Sequence, residues 1–87
     1  MTNLLEKDHL PKTIEYDGVE YDARHGGPFD RGSADCYYRR PREPHKYLAA
    51  TYQSDRIGLL GLTDDEIKAY RAGYDYQQDL GDYKDYE

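Results

Sequence analysis

The clearest alternation of apolar and polar positions lies in residues 12–22, KTIEYDGVEYD. The two runs flank Asp17-Gly18, a pair that accepts the positive φ of a two-residue type I′ turn. The pattern predicts a β-hairpin over 12–23 that pairs Tyr16 with Val19 and Ile14 with Tyr21 on one face. Thr13, Glu15, Glu20 and Asp22 fall on the other face, with Glu15 opposite Glu20 in a mildly unfavourable pair. An isolated hairpin is marginal in water. The Ile14/Tyr16/Val19/Tyr21 face therefore needs a helical layer to pack on.

Helical spacing takes over at Pro28, a residue suited to a first helical turn. Phe29, Gly32/Ser33, Cys36/Tyr37 and Arg40 recur as one stripe and predict a helix over 28–40, stopped by Pro41 and Pro44. Asp35 and Arg39 stand four apart in the supporting order. A second helix is predicted over 63–80. Thr63 and Glu66 spell a capping box, and Asp64 and Asp65 suit the positive end of the helix dipole. Ile67, Tyr70 and Tyr74 give the apolar stripe, and Asp64–Lys68 and Arg71–Asp75 are spaced as ion pairs. Leu80-Gly81 reads as the stop.

Gly32 costs about 1 kcal/mol against Ala in a helix interior, a cost that close approach of another backbone can offset. Residues 31–35 and 72–75 echo each other. Each is a helical stretch with an internal Gly, followed by a tight loop and then a basic residue and an aromatic. The echo suggests that the helices cross at Gly32 and Gly73; chance in a Tyr/Asp-rich chain is the plain alternative. Between these elements, 1–11 reads as a peripheral arm and 23–28 (ARHGGP) as a flexible joint. Residues 41–62 read as a long ordered loop with a short helical turn near 47–52. Residues 81–87 read as an acidic tail whose Tyr83 and Tyr86 fold back onto the core. The expectation is one α+β domain over 1–87, an N-terminal β-hairpin packed on two helices.

Composition changes what holds such a domain together. In 87 residues there is room for one core. Leu, Ile, Val and Phe number 13, a share that leans toward disorder in a chain with net charge −6. Eleven tyrosines and no tryptophan shift the balance. A Tyr ring buries a large apolar area while its hydroxyl stays hydrogen-bonded, so the core is expected to be thin and built from phenols. The charge is uneven: residues 1–22 carry −4, residues 23–62 carry +3 and residues 63–87 carry −5. Neutralisation between segments and a basic patch offered to a partner both fit that distribution. A single cysteine, Cys36, excludes an intrachain disulfide and suits a reducing compartment. The start MTNLLEKDHL carries no apolar targeting segment, and no apolar run is long enough to span a bilayer. A cytoplasmic location without membrane contact is expected.

Candidate chemistry is sparse. His9, His25, His45 and Cys36 show no metal-ligand spacing, so neither a metal nor a cofactor is expected, and Cys36 on an apolar stripe reads as core. Ser33, Cys36 and His45 are the only loose nucleophile–base set, and no catalytic role is assigned to them. Two surfaces stand out. The first is Tyr37, Tyr38, Arg39, Arg40, Arg42, His45, Lys46 and Tyr47. Guanidinium and aromatic planes there can stack on bases and bind phosphates, serve a protein interface rich in Tyr and Arg, or hold the fold together by reaching acids of the 64–79 helix. Pro41 and Pro44 stiffen the segment and lower the entropy cost of presenting it. The second is the acidic series Asp75, Asp79, Asp82, Asp85 and Glu87. Its carboxylates can imitate nucleic-acid phosphates toward a basic groove or form a solvated face.

The segments RGSADCYYRRP (31–41), PHKY (44–47), LTDDEIKAYRAGY (62–74) and GDYKD (81–85) resemble a family of small uncharacterised proteins encoded by phages and prophages. The resemblance spans residues 26–86 and carries no assigned chemistry. It implies an accessory protein acting on a host component, in the host cytoplasm. The Gly-centred helix followed by a loop and an aromatic is also faintly similar to the ribosome modulation factor, from which this chain departs in being acidic where that family is strongly basic. The expectation is a non-catalytic accessory protein that binds, and inhibits or modulates, a host protein. An RNA- or ribosome-associated binder using residues 37–47 is the alternative, and a small enzyme the second alternative.

Overall fold

The computed structural model describes residues 13–49, 51 and 54–85. The arm expected over 1–11, the fold-back of Tyr86 and the position of Glu87 lie outside the described residues.

Strands β1 (Thr13–Tyr16) and β2 (Val19–Asp22) pair antiparallel in the predicted register, Tyr16 with Val19, Ile14 with Tyr21 and Glu15 with Glu20. Asp17 and Gly18 take φ of 54° and 81°, the two positive values of a type I′ turn. The Thr13 hydroxyl donates to Glu20 across the pair at 3.0 Å. Ile14, Tyr16 and Tyr21 pack against Phe29, Ala69 and Ala72. Val19, expected on the same buried face, remains 37 % exposed. It sits beside the turn and borders the grooves that flank the hairpin instead of entering the core.

The helical layer is a crossed pair, α1 (Pro28–Tyr37) and α2 (Asp64–Leu80). They approach as closely as backbones allow. A Cβ on Gly32 would collide with the carbonyl oxygen of Tyr70, and one on Gly73 with that of Phe29. The two glycines thus notch the helices reciprocally, and the Ser33 hydroxyl reaches across to Gln77 at 2.8 Å. Toward the hairpin, α2 presents Ala69, Ala72 and Tyr76. Of the predicted stripe, Tyr70 is fully buried while Ile67 and Tyr74 are half-buried. The capping box forms with both of its hydrogen bonds, and Gly81 ends α2 in the left-handed region at φ 72°.

Helix α1 stops at Tyr37, ahead of the predicted end at Arg40. Arg39 N–H bonds the Cys36 carbonyl and Arg40 N–H that of Asp35, at 2.9 and 2.7 Å. With Arg39 at φ 62° this is a Schellman closure carrying Arg where Gly is usual. The turn ends the helix before the prolines are reached. It also removes Arg39 from the helical face, so Asp35 pairs with Arg40 at 3.3 Å. Asp75 likewise takes Arg42 as its partner in place of the expected Arg71.

The 41–62 connection carries more order than a loop. Strand β3 (Lys46–Tyr47) pairs antiparallel with β4 (Arg56–Ile57), and a 3₁₀ turn follows at Leu59–Gly61. Tyr47 is thus a strand residue where a helical turn was expected, and 50, 52 and 53 lie outside the described residues. The expected flexible joint at 23–28 is a packed seam. Gly26 and Gly27 are buried, Tyr47 N–H bonds the Gly26 carbonyl at 2.7 Å, and Arg24 donates to the Tyr47 carbonyl at 2.8 Å. Gly26 is needed there twice over: its φ is 87°, and a Cβ would strike the Ala49 carbonyl.

Candidate functional site

The Schellman closure throws Tyr38, Arg39 and Arg40 outward, and Pro41 and Pro44 then carry the chain back over α2. Three guanidinium groups lie over phenol rings along this path: Arg40 over Tyr38 at 4.8 Å, Arg39 over Tyr83 at 5.3 Å and Arg42 over Tyr74 at 4.2 Å. Tyr37 and Tyr38 meet edge to face at 5.0 Å, and Lys84 N–H bonds the Tyr37 carbonyl at 2.7 Å. Tyr83 therefore folds back as expected. Arg42 donates to Asp75 at 2.5 Å. Lys46 donates to Glu66, whose carboxyl this contact holds below its ordinary range.

The predicted Arg/Tyr set is divided by the fold. His45 and Tyr47 are interior, at 3 % and 5 % exposure. Tyr37 and Lys46 are half-buried, while Tyr38, Arg39, Arg40 and Arg42 lie at the surface. The acidic series is divided as well. Asp75 holds Arg42, Asp79 accepts from the Tyr16 hydroxyl at 2.6 Å, and the Asp82 carbonyl accepts from Gln77 at 2.6 Å; Asp82 and Asp85 are exposed. The bond to Asp79 is the main cause that raises the Tyr16 phenol to about 12.

Beneath the outer arginines lies a buried polar network that local sequence pattern does not reveal. Tyr70 donates to Asp35 at 2.5 Å and accepts from the Glu43 N–H at 2.9 Å. Burial and the Asp35 bond raise the Tyr70 phenol. His45 sits between two fixed partners: Arg31 Nε donates to its Nε2 at 3.1 Å, and its Nδ1 faces the Glu43 carbonyl at 2.7 Å. An arginine cannot accept and a carbonyl cannot donate, so the ring is neutral with its proton on Nδ1. Burial, acting in the same direction, lowers its pKa. Asp35, 3.8 Å from Nδ1, thus faces a neutral ring and not an imidazolium. Arg31, Asp35, Glu43 and His45 border a concavity of about 400 Å³ together with Arg40 and Arg56. Local pattern could not pair Arg31 with His45 or Asp35 with Tyr70, which are 14 and 35 residues apart.

The nucleophile–base set acquires other partners. Ser33 donates to Gln77, Cys36 is 3 % exposed with its thiol pushed up by burial, and both nitrogens of His45 are engaged. Among the described residues no group of three or more His, Cys, Asp or Glu side chains is placed to hold a metal ion. No helix among them is long and apolar enough to cross a membrane. No family model, curated protein or solved structure matches the chain, so the two resemblances gain no support from these comparisons.

Proposed function

We propose that the protein is a non-catalytic accessory protein that binds a macromolecular partner and thereby inhibits or modulates it. The partner is a protein, a host protein in the phage setting that the chain resembles. The observation that carries this reading is the outer half of the Arg/Tyr segment. Tyr38 is 39 % exposed, the side chains of Arg40 and Arg42 are 44 % and 43 % exposed, and each guanidinium already lies over a ring. Pre-stacked Tyr and Arg side chains lose little rotamer entropy on docking, and these residue types dominate protein hot spots.

Nucleic acid fits the same surface less well. Arg40 and Arg42 stand beside the carboxylates of Asp35 and Asp75, and the whole chain carries −6, so phosphate attraction is offset at the point of contact. Affinity capture from host lysate, with and without nuclease, tests the assignment. Capture of a protein that survives nuclease and is lost on Tyr38→Ala with Arg39→Ala supports it. Capture that vanishes with nuclease, or that the double variant leaves unchanged, overturns it.

A further inference from the structure

We propose that the free edge of β2 is a second docking site, which takes an extended segment of a protein partner, alternately basic and apolar, as a third strand of the hairpin. In a two-residue hairpin the closing pair Tyr16/Val19 and the pair Ile14/Tyr21 exchange the ladder bonds. Glu20 and Asp22 occupy the alternate positions, so their N–H and C=O groups point away from β1. The sheet has two strands in the order β1-β2, and among the described residues no strand pairs with that edge.

The edge opens onto a groove of about 440 Å³ between β2 and the first half of α2, with Val19, Tyr21 and Ala69 among its lining residues. The groove's charges are selective. Glu20, Asp22, Asp65 and Glu66 border it together with Arg24 and Lys68. Arg24 is turned to the carbonyls of His25, Tyr47 and Ala49, and Glu66 is held by Lys46. Glu20, Asp22 and Asp65 then remain against Lys68 and an Arg24 guanidinium turned away to backbone carbonyls, an excess of one negative charge. The Glu20 carboxylate accepts from the Thr13 hydroxyl and that of Asp22 from the Arg24 N–H. A strand laid along β2 sets alternate side chains toward the apolar floor and the others beside Glu20 and Asp22. That arrangement calls for apolar and basic residues in alternation, and it is the β-augmentation mode of peptide recognition. A second copy of the chain is disfavoured as the occupant, because antiparallel pairing of two β2 edges brings Glu20 and Asp22 against their own kind. The site shares no residue with the Arg/Tyr surface and stands or falls separately from it.

The test is an NMR titration of the full chain with the peptide acetyl-Lys-Val-Lys-Val-Lys-Val-amide and its Glu-Val counterpart. The expected result is that the Lys peptide shifts the Glu20 and Asp22 amides and protects them from hydrogen exchange, while the Glu peptide does neither. Glu20→Pro removes one outward N–H without touching the β1 ladder and is expected to weaken binding about tenfold or more. Glu20→Lys with Asp65→Lys leaves the backbone intact and is expected to reverse the preference toward the Glu peptide, which covers the case of a Pro variant that does not fold. The proposal is overturned by equal binding of both peptides, by a folded Glu20→Pro variant of undiminished affinity, or by shifts that avoid β2. Protection of the same amides by self-association without peptide also overturns it, since the occupant is then a second copy.

Discussion

His45 is where a single side chain is most tightly specified. It accepts from one interior donor, Arg31, and gives its proton to one carbonyl, that of Glu43. Adding a proton to Nε2 turns the Arg31 contact into a meeting of two cations inside the protein. The folded state therefore holds the ring neutral, and its pKa lies below the ordinary 6.5. The unfolded chain takes up the proton first as pH falls, so this contribution is complete above 6.5 and is lost as pH drops below it. Glu66, also lowered from its ordinary 4.5, adds its loss only at lower pH. Urea unfolding of the wild type is expected to show a lower midpoint at about pH 5 than at about pH 7, with the difference reduced in His45→Gln. An unchanged wild-type midpoint across that interval would contradict the neutral, bracketed ring.

At the scale of elements, the helix crossing rests on the absence of two methyl groups. In an ordinary helix interior Gly→Ala stabilises by about 1 kcal/mol. Here Gly32→Ala and Gly73→Ala each drive a Cβ into a backbone carbonyl of the facing helix. The helices must separate, opening the contacts of Phe29 and Ala72. The sign is therefore expected to reverse, each variant losing about 2 kcal/mol or more in denaturant unfolding. The C-terminus of α1 gives the opposite case. Arg39 holds the left-handed conformation that glycine adopts without strain. Arg39→Gly exchanges that strain, about 1 kcal/mol, for the Tyr83 contact and the added freedom of the unfolded chain. Stability within about 1 kcal/mol of wild type is expected together with weakened partner capture, which separates a binding defect from a folding defect.

The hairpin and the capping box were legible in the sequence because each is a local rule with one solution: Asp17-Gly18 demands a turn, and Thr63 and Glu66 a helix start. The crossing at Gly32 and Gly73 was legible only as one reading beside chance, and the close approach of the two backbones decides it. The 46–47 and 56–57 pairing was not legible, since two-residue strands carry no period. Neither was the end of α1, where Arg39 fills a position that composition assigns to glycine. The candidate site was legible as residue types and not as geometry. His45 and Tyr47 share a segment with Arg39 and Arg42, yet the bonds to Arg31 and the Glu43 carbonyl hold His45 inside and Tyr47 is buried in β3, while the Schellman closure turns Arg39 outward. The β2 edge gave no signal beyond the hairpin itself, because its groove exists only once α2 is laid alongside.

The whole molecule is held by phenols acting in two ways at once. Their rings supply bulk that the scarce aliphatic residues cannot: Tyr70 is fully buried, Tyr21 stacks on Phe29 and Tyr76 meets both Phe29 and Tyr16. Their hydroxyls then tie separate elements together, Tyr16 of the hairpin to Asp79 of α2, Tyr70 of α2 to Asp35 of α1, and Tyr74 of α2 to the Arg40 carbonyl. Each of these three bonds requires the protonated phenol. Ionisation would place a phenolate against Asp79, Asp35 or a carbonyl oxygen, and all three groups are raised above their ordinary value of 10.0: Tyr16 mainly by its bond to Asp79, Tyr70 by burial and then by its bond to Asp35, and Tyr74 by burial. In the unfolded chain the same tyrosines ionise near 10.0, so their contribution is complete below that pH and declines as pH rises beyond it. A spectrophotometric titration of tyrosinate, run beside far-UV circular dichroism, is expected to show two phases. Outlying tyrosines ionise first with the fold intact, and the remainder ionise as the helical signal collapses. A single phase at the ordinary pKa with unaltered helicity would mean that the phenols fill space without joining the elements, and that the thin core is held by ring packing alone.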